Sequence, residues 1–360
     1  MAQMTAPPTP PLPPAPPVLR PEEAAFLRAD RALDPTIPAV ETRELHKVYG
    51  HKTAVQSLTL TVPQGEVFGF LGPNGAGKST TMKMLMGLVF PTSGTMQLLG
   101  RPIGDVSVKQ RVGFLPEQFR FYEWMQAREF LDFHGQLYGM DARARKARIP
   151  EVLDLVGLAG EGKNRLRTFS KGMLQRVGLA QAVMNNPALV FLDEPTSALD
   201  PVGRREVRDI IARLHSQGMT VFLNSHILAE VEQVCDRVAI IHHGQVARMG
   251  TIGELLADAL TVDLTLDSAG PQAHTALGPE ITPLGVSADG RTLTVRVPDE
   301  EQVPPMIGRL VAAGVRVYAV APHRRTLEDV FMEAIGMASV TGPVAHGLER
   351  EPFTLAKGGN

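Results

Sequence analysis

A mostly parallel α/β sheet, followed by a smaller α+β domain, is the architecture this sequence predicts. Three observations carry that expectation. Short apolar runs, Val67–Leu71, Leu189–Leu192, Thr220–Asn224 and Arg237–Ile241, are separated by helical patterns, as in strands buried on both faces. The first run leads into a glycine-rich loop and then a helix. After Gly250 the pattern turns to alternation, the mark of strands with one face against a core.

Size and charge narrow the possibilities. The chain has 360 residues, enough for a large domain and a smaller one. Its formal net charge is -2, so no bulk electrostatic pull towards nucleic acid exists and no nucleic-acid partner is expected. The single cysteine, Cys235, forms no internal disulfide, which fits a reducing cytoplasm. No stretch approaches the ~20 apolar residues of a bilayer-spanning helix. Met1–Pro21 is broken by prolines and lacks the apolar core of a signal peptide. A role at a membrane would therefore need another polypeptide to do the crossing.

Along the chain, residues 1–37 form a proline-rich tail and a charged linker. The tail reads either as plain disorder or as an SH3-type ligand. Ala54–Val62 alternates and ends at the turn signal Pro63-Gln64-Gly65. Ser79–Leu88 is expected to be a helix. In the second domain, 256–337, Val262, Leu264 and Leu266 alternate, as do Leu293, Val295 and Val297 beyond the turn Ala288-Asp289-Gly290. A helix over Val303–Ala313, a strand over Val315–Val320 and a helix over Thr326–Ile335 complete a split βαβ pattern. Residues 338–360 read as a loose tail.

The chemistry begins in the glycine-rich loop. Gly72-Pro73-Asn74-Gly75-Ala76-Gly77-Lys78-Ser79 matches G-x-x-x-x-G-K-[ST] between a buried strand and a helix, with Thr80 next. Glycines let backbone N–H groups converge on phosphate, and the following helix points its positive end at them. Lys78 suits the β- and γ-phosphates and the Ser79 hydroxyl suits Mg2+. The apolar run Leu189–Leu192 ends in Asp193-Glu194-Pro195. At the C-terminal end of a central strand, Asp193 can hold Mg2+ through water, and Glu194 can orient or deprotonate an attacking water. The loop and this strand together define a nucleotide-hydrolysing P-loop protein.

A second helix start carries a similar signal. Phe169-Ser170-Lys171-Gly172-Met173 precedes apolar residues at three- and four-residue spacing, Met173, Val177, Ala180 and Met184. Ser170 is placed as an N-cap and Gly172 leaves an open N–H. Taken alone, the segment reads as a capped structural helix. Beside the phosphate loop, it reads as a helix end for the γ-phosphate held by another subunit.

With these motifs in their order, residues 41–250 resemble the nucleotide-binding subunit of an ABC transporter. The resemblance implies a P-loop NTPase domain over 38–255, with a mostly parallel sheet, an antiparallel β subdomain and a helical subdomain at about 119–170. It implies ATP and Mg2+ as cofactors. Tyr49 would stack on adenine, and Gln118 would sense Mg2+ and γ-phosphate. Asp200, in Ser197-Ala198-Leu199-Asp200, would lie at a dimer interface, and His226 would contact γ-phosphate. The implied partners are a second copy and a polytopic membrane permease at the cytoplasmic face of the membrane, with domain 256–337 regulating or dimerising the motor. The family's commonest signature is LSGGQ; here Ser170 and Gly172 remain, while Lys171 replaces a glycine and Met173 a glutamine. This signature and Thr326-Leu327-Glu328-Asp329-Val330-Phe331 resemble the ABC-2 exporter branch, with its daunorubicin-type resistance pumps.

Phe119-Arg120-Phe121-Tyr122-Glu123-Trp124 concentrates aromatics in a chain that is 5% aromatic. It is either a groove for a cytoplasmic helix of the membrane subunit or core of the helical subdomain. Two other classes fit less well. A soluble ATPase of this family acting on DNA or ribosomes usually carries a coiled coil or two cassettes, and neither heptads nor a second phosphate loop occurs. A small-molecule kinase would need neither Ser170-Lys171-Gly172 nor Asn224-Ser225-His226.

Overall fold

The computed structural model describes residues 34, 36–118, 120–197, 199–257, 260–323 and 325–336. The proline-rich tail, nearly all of the linker and the C-terminal tail lie outside the described residues. The chain divides into two compact units between Ile252 and Gly253.

The first unit is organised by one sheet. Its strands are β1 (Val40–Tyr49), β2 (Lys52–Val62), β3 (Val67–Leu71), β4 (Ser93–Leu98), β5 (Arg101–Pro102), β6 (Val112–Leu115), β7 (Leu189–Asp193), β8 (Thr220–Asn224), β9 (Arg237–His242) and β10 (Gln245–Thr251). Their spatial order is β5-β4-β1-β2-β10-β9-β3-β8-β7-β6. From β9 to β6 every pairing is parallel. The apolar runs fill these strands because both faces are covered: every residue of β3 and β8 is buried. Phe222 sits at the centre, its ring 5.2 to 5.5 Å from those of Phe68, Phe70 and Phe191. At the other end, β5, β4, β1 and β2 form an antiparallel arm. β10 joins the two parts, antiparallel to β9 and parallel to β2.

Between β6 and β7 the chain is helical: Ala127–Leu137, Ala142–Leu155, two short 3-10 turns and Lys171–Ala182. Side chains close the helix starts. Glu129 accepts from the Gln126 N–H at 2.9 Å, Asp141 from the Ala144 N–H at 2.8 Å, and Ser170 from the Met173 N–H at 3.2 Å. The last helix lies hard against β6. A Cβ on Gly113 would stand 1.9 Å from the Ala182 carbonyl, and one on Gly178 would stand 2.7 Å from the Leu115 side chain. Only glycine permits that approach.

The second unit contains β11 (Leu260–Leu266), β12 (Thr282–Val286), β13 (Thr292–Val297) and β14 (Val317–His323). Helices Pro271–Ala276 and Val303–Ala312 connect them, and Leu327–Ala334 follows. The order is β12-β13-β11-β14, antiparallel throughout. β13 lies between β11 and β12, and β11 between β13 and β14, so both strand-helix-strand units are split. Leu260, Val262, Leu264 and Leu266 point into one core with Leu293, Val295, Val297, Met306 and Leu310.

Two expected boundaries move, for one reason. The helix expected over Ser79–Leu88 ends at Leu85, because left-handed Gly87 lets the Leu88 N–H reach back to the Lys83 carbonyl. Gly314 does the same after Val303–Ala312: the Val315 N–H bonds the Leu310 carbonyl, and β14 begins only at Val317. Glycine just past a helix closes it in this way.

Candidate functional site

The parallel registers align the C-terminal ends of β3, β8 and β7, pairing Phe70 with Asn224 and Asn224 with Asp193. The site is built at that edge, where open α/β sheets gather ligands.

The loop after β3 is wedged between two neighbours. A Cβ on Gly72 would meet the Ile241 carbonyl at 2.4 Å, and one on Gly77 would meet the Ala54 carbonyl at 2.5 Å. Gly75 and Gly77 have φ of +82° and +102°, a region that suits glycine. The Gly244 N–H bonds the Ala76 carbonyl at 3.1 Å, tying the β9–β10 turn to the loop. Gly77 ends the loop without a side-chain cap on the helix Lys78–Leu85, so the first N–H groups of that helix stay available to phosphate. Ser79 is exposed and Thr80 half-buried. The buried Lys78 ammonium reaches back over the loop to the Gly72 carbonyl at 2.7 Å and the Pro73 carbonyl at 3.2 Å. Burial lowers its pKa, and the charges of Glu194 and Asp193 oppose that shift.

Asp193 ends β7 and accepts from the Asn224 amide at 2.5 Å. Glu194 follows in the left-handed region, at φ +51°. Its N–H donates to the Asn224 carbonyl at 2.8 Å, and its carboxylate Oε2 lies 2.6 Å from Nδ1 of His226. With the carboxylate ionised, Nδ1 carries the shared proton. Burial raises the Glu194 pKa, while His226 and Lys78 pull it down. A half-buried carboxylate hydrogen-bonded to an exposed imidazole can take a proton from water and pass its charge state to the ring.

The remaining residues stand apart from this cluster. Tyr49 ends β1, and its partner Lys52 is two residues from the Ala54 that touches the loop. The ring is half exposed, with the Lys47 ammonium 4.7 Å from its centroid. Gln118 is exposed beyond β6. Ser170 caps Lys171–Ala182, and Asp200 caps Pro201–Ser216 by accepting from the Gly203 N–H at 2.7 Å. Among the described residues, no hydrogen bond or ion pair joins Gln118, Ser170, Gly172 or Asp200 to the Lys78–Glu194 cluster. Sequence reasoning named Asn224 only as a neighbour of His226 and gave it no role; in the fold it touches both acidic residues. A polar side chain closing an apolar strand was the signal.

A phosphate loop, a strand-end Asp-Glu pair and a histidine just past the end of the intervening strand define a P-loop ATPase. The ABC transporter family profile matches residues 55–197. An ABC transporter ATP-binding protein of Synechocystis is 42% identical over 311 residues, covering 84% of this chain and 86% of the relative. The daunorubicin resistance ATP-binding protein DrrA3 of Streptomyces coeruleorubidus is 36% identical over 304 residues, covering 83% of this chain and 96% of the relative. Among solved structures, an ATP-binding subunit of an ABC transporter superposes with a TM-score of 0.55 at 30% identity, covering 60% of this chain and 91% of that one. The chain belongs to the ATP-binding proteins of ABC transporters, which bind and hydrolyse ATP. Among the described residues no helix is long and apolar enough to cross a membrane.

Proposed function

We propose that two copies of this chain close around two ATP molecules and power export through a separate polytopic membrane permease, on the cytoplasmic side of the membrane. The observation that carries this reading is the convergence of Lys78, Asp193, Glu194 and His226 at one sheet edge, while Ser170, at the start of another helix, is exposed and has no hydrogen bond to that cluster among the described residues. A phosphate-binding helix end that does not bond to its own loop suits the triphosphate of a second copy. Ser170 and Gly172 of one copy meet the γ-phosphate held by Lys78 of the other, and Asp200 lies along the seam. Tyr49 stacks on adenine.

Glu194 takes the proton of the attacking water, and His226 holds that carboxylate and reads the γ-phosphate. The backbone N–H groups of Gly75–Ser79 and the Lys78 ammonium stabilise the phosphate charge that develops. Ser79, Asp193 and Gln118 offer the hard oxygen donors that Mg2+ takes, few enough for the ion to keep several waters. Among the described residues no cluster of three His, Cys, Asp or Glu forms a dedicated cage, which suits a cation that arrives with nucleotide. When bound, that cation neutralises phosphate charge. Once the γ-phosphate is gone, its contacts in the closed pair are lost and the copies separate.

Export draws on the Streptomyces relative, a daunorubicin resistance protein, because removing a drug is one way a transporter confers resistance. The permease would dock against the exposed aromatics Tyr122 and Trp124. The decisive experiment is light scattering of a Glu194→Gln variant with saturating Mg·ATP. A dimer is expected. A strict monomer, also beside its permease, would overturn the shared-nucleotide reading.

A further inference from the structure

We propose that Asn224 is a positioning residue that fixes the Asp193 carboxylate for the divalent cation and holds Glu194 apart for its separate task. The inference rests on the reading of Asp193 as the cation's carboxylate.

Asn224 is 2% exposed and stands between the strand that feeds the phosphate loop and the strand that ends in the acidic pair. Its two polar ends do different things. The side-chain amide donates to Asp193 Oδ1 at 2.5 Å, and the main-chain carbonyl accepts the Glu194 N–H at 2.8 Å. A carboxylate can only accept, so the amide N–H2 must face Asp193. That contact occupies Oδ1, while Oδ2 has no hydrogen-bond partner among the described residues. A carboxylate held by one oxygen has a single orientation in which to offer the other, as second-shell partners provide for metal ligands.

The carbonyl contact acts on Glu194. A non-glycine residue at φ +51° is costly and persists only where surroundings enforce it. Turned this way, the Glu194 side chain meets His226 instead of continuing beside Asp193. One residue thereby sends two adjacent carboxylates in different directions.

The chemistry narrows what else could stand here. Serine would be too short to reach across the two paired backbones. Aspartate would set carboxylate against carboxylate, and only a shared proton would relieve the repulsion. The Asn224 Oδ1, buried and without a hydrogen-bond partner among the described residues, is an acceptor fit for an ordered water. A residue serving only to hold strands together would have no use for either feature.

The test uses full-length protein carrying Asn224→Ser or Asn224→Ala. Mn2+ binding at saturating ATP is followed by electron paramagnetic resonance, with thermal melting as the control for folding. Both variants should bind Mn2+ about 10- to 100-fold more weakly. Wild-type Mn2+ affinity in either folded variant overturns the inference. An Asp193→Asn reference separates the two readings. If it too leaves Mn2+ affinity unchanged, the assignment of Asp193 fails; if it weakens binding while the Asn224 variants do not, only the role of Asn224 fails.

Discussion

Glu194 and His226 meet at 2.6 Å across the ends of β7 and β8, with the carboxylate 12% exposed and the imidazole 60% exposed. The acid is shielded from solvent, while the ring is largely open to it. Burial raises the Glu194 pKa, and His226 is the largest of the influences opposing that rise. If Glu194 is the base, turnover requires its ionised form. The acid limb of kcat should therefore lie above the ordinary glutamate value. Substituting His226→Ala removes a group that lowers the pKa, so the limb of the residual activity should move to higher pH. A pH–rate series on both proteins reads the shift; an unmoved limb would separate Glu194 from the rate-limiting proton transfer.

The phosphate loop should resist substitution at two glycines for reasons unrelated to nucleotide contact. Gly72→Ala places a methyl 2.4 Å from a main-chain carbonyl, and Gly77→Ala does so at 2.5 Å with φ at +102°. Each should cost about 1–3 kcal/mol of folding stability. Gly75→Ala has open space around it and bears only the cost of left-handed backbone, about 1–2 kcal/mol. Urea unfolding without nucleotide distinguishes the three.

The rings of Tyr122 and Trp124 meet at 5.3 Å, tilted by 53°, yet they remain 43% and 70% exposed. A surface pair of this kind contributes little to folding and much to an interface. The double variant Tyr122→Ala/Trp124→Ala should keep its melting temperature and its basal ATPase rate, and should lose transport in vesicles containing the permease. Transport at the wild-type rate would remove this surface from the coupling path.

The second unit has its own core, which favours an independent task. A chain ending at Ile252 should retain nucleotide binding and lose part of its ATP-driven dimerisation or alter its ATPase rate. Sedimentation and steady-state turnover check both. If neither changes, the regulatory reading of residues 256–337 falls.

The parallel half of the sheet was legible because it is buried on both faces. Val67–Leu71 and Leu189–Leu192 have no polar residue to confuse their period, and each leads directly into its chemistry. The antiparallel arm was legible only in part: Ala54–Val62 alternates and became β2, and the resemblance implied an antiparallel subdomain, but its pairings could not be read. Thr42 pairs with Leu60 on one side and with Met96 on the other, and no local pattern announces a partner more than fifty residues away. Lys78, Asp193, Glu194 and His226 were recognisable as motif members. Their mutual arrangement was not, since Asn224 and the left-handed turn at Glu194 are tertiary facts. Phe121–Trp124 could equally have been core or surface from sequence; in the fold Phe121 packs on Phe130 while its neighbours face solvent.

Among the described residues, β6 is the rim of its sheet, laddered to β7 alone, and Gly113 and Gly178 bring Lys171–Ala182 into direct contact with it. A pointer mounted on a rim swings more easily than one set into the middle. Its tip, Ser170, stands about eight residues from the contact at Gly178, roughly 12 Å along the axis, so a tilt of about 10° there carries the hydroxyl about 2 Å. Distances of that size separate a hydrogen bond from none, and Gln118 lies just past the same pivot.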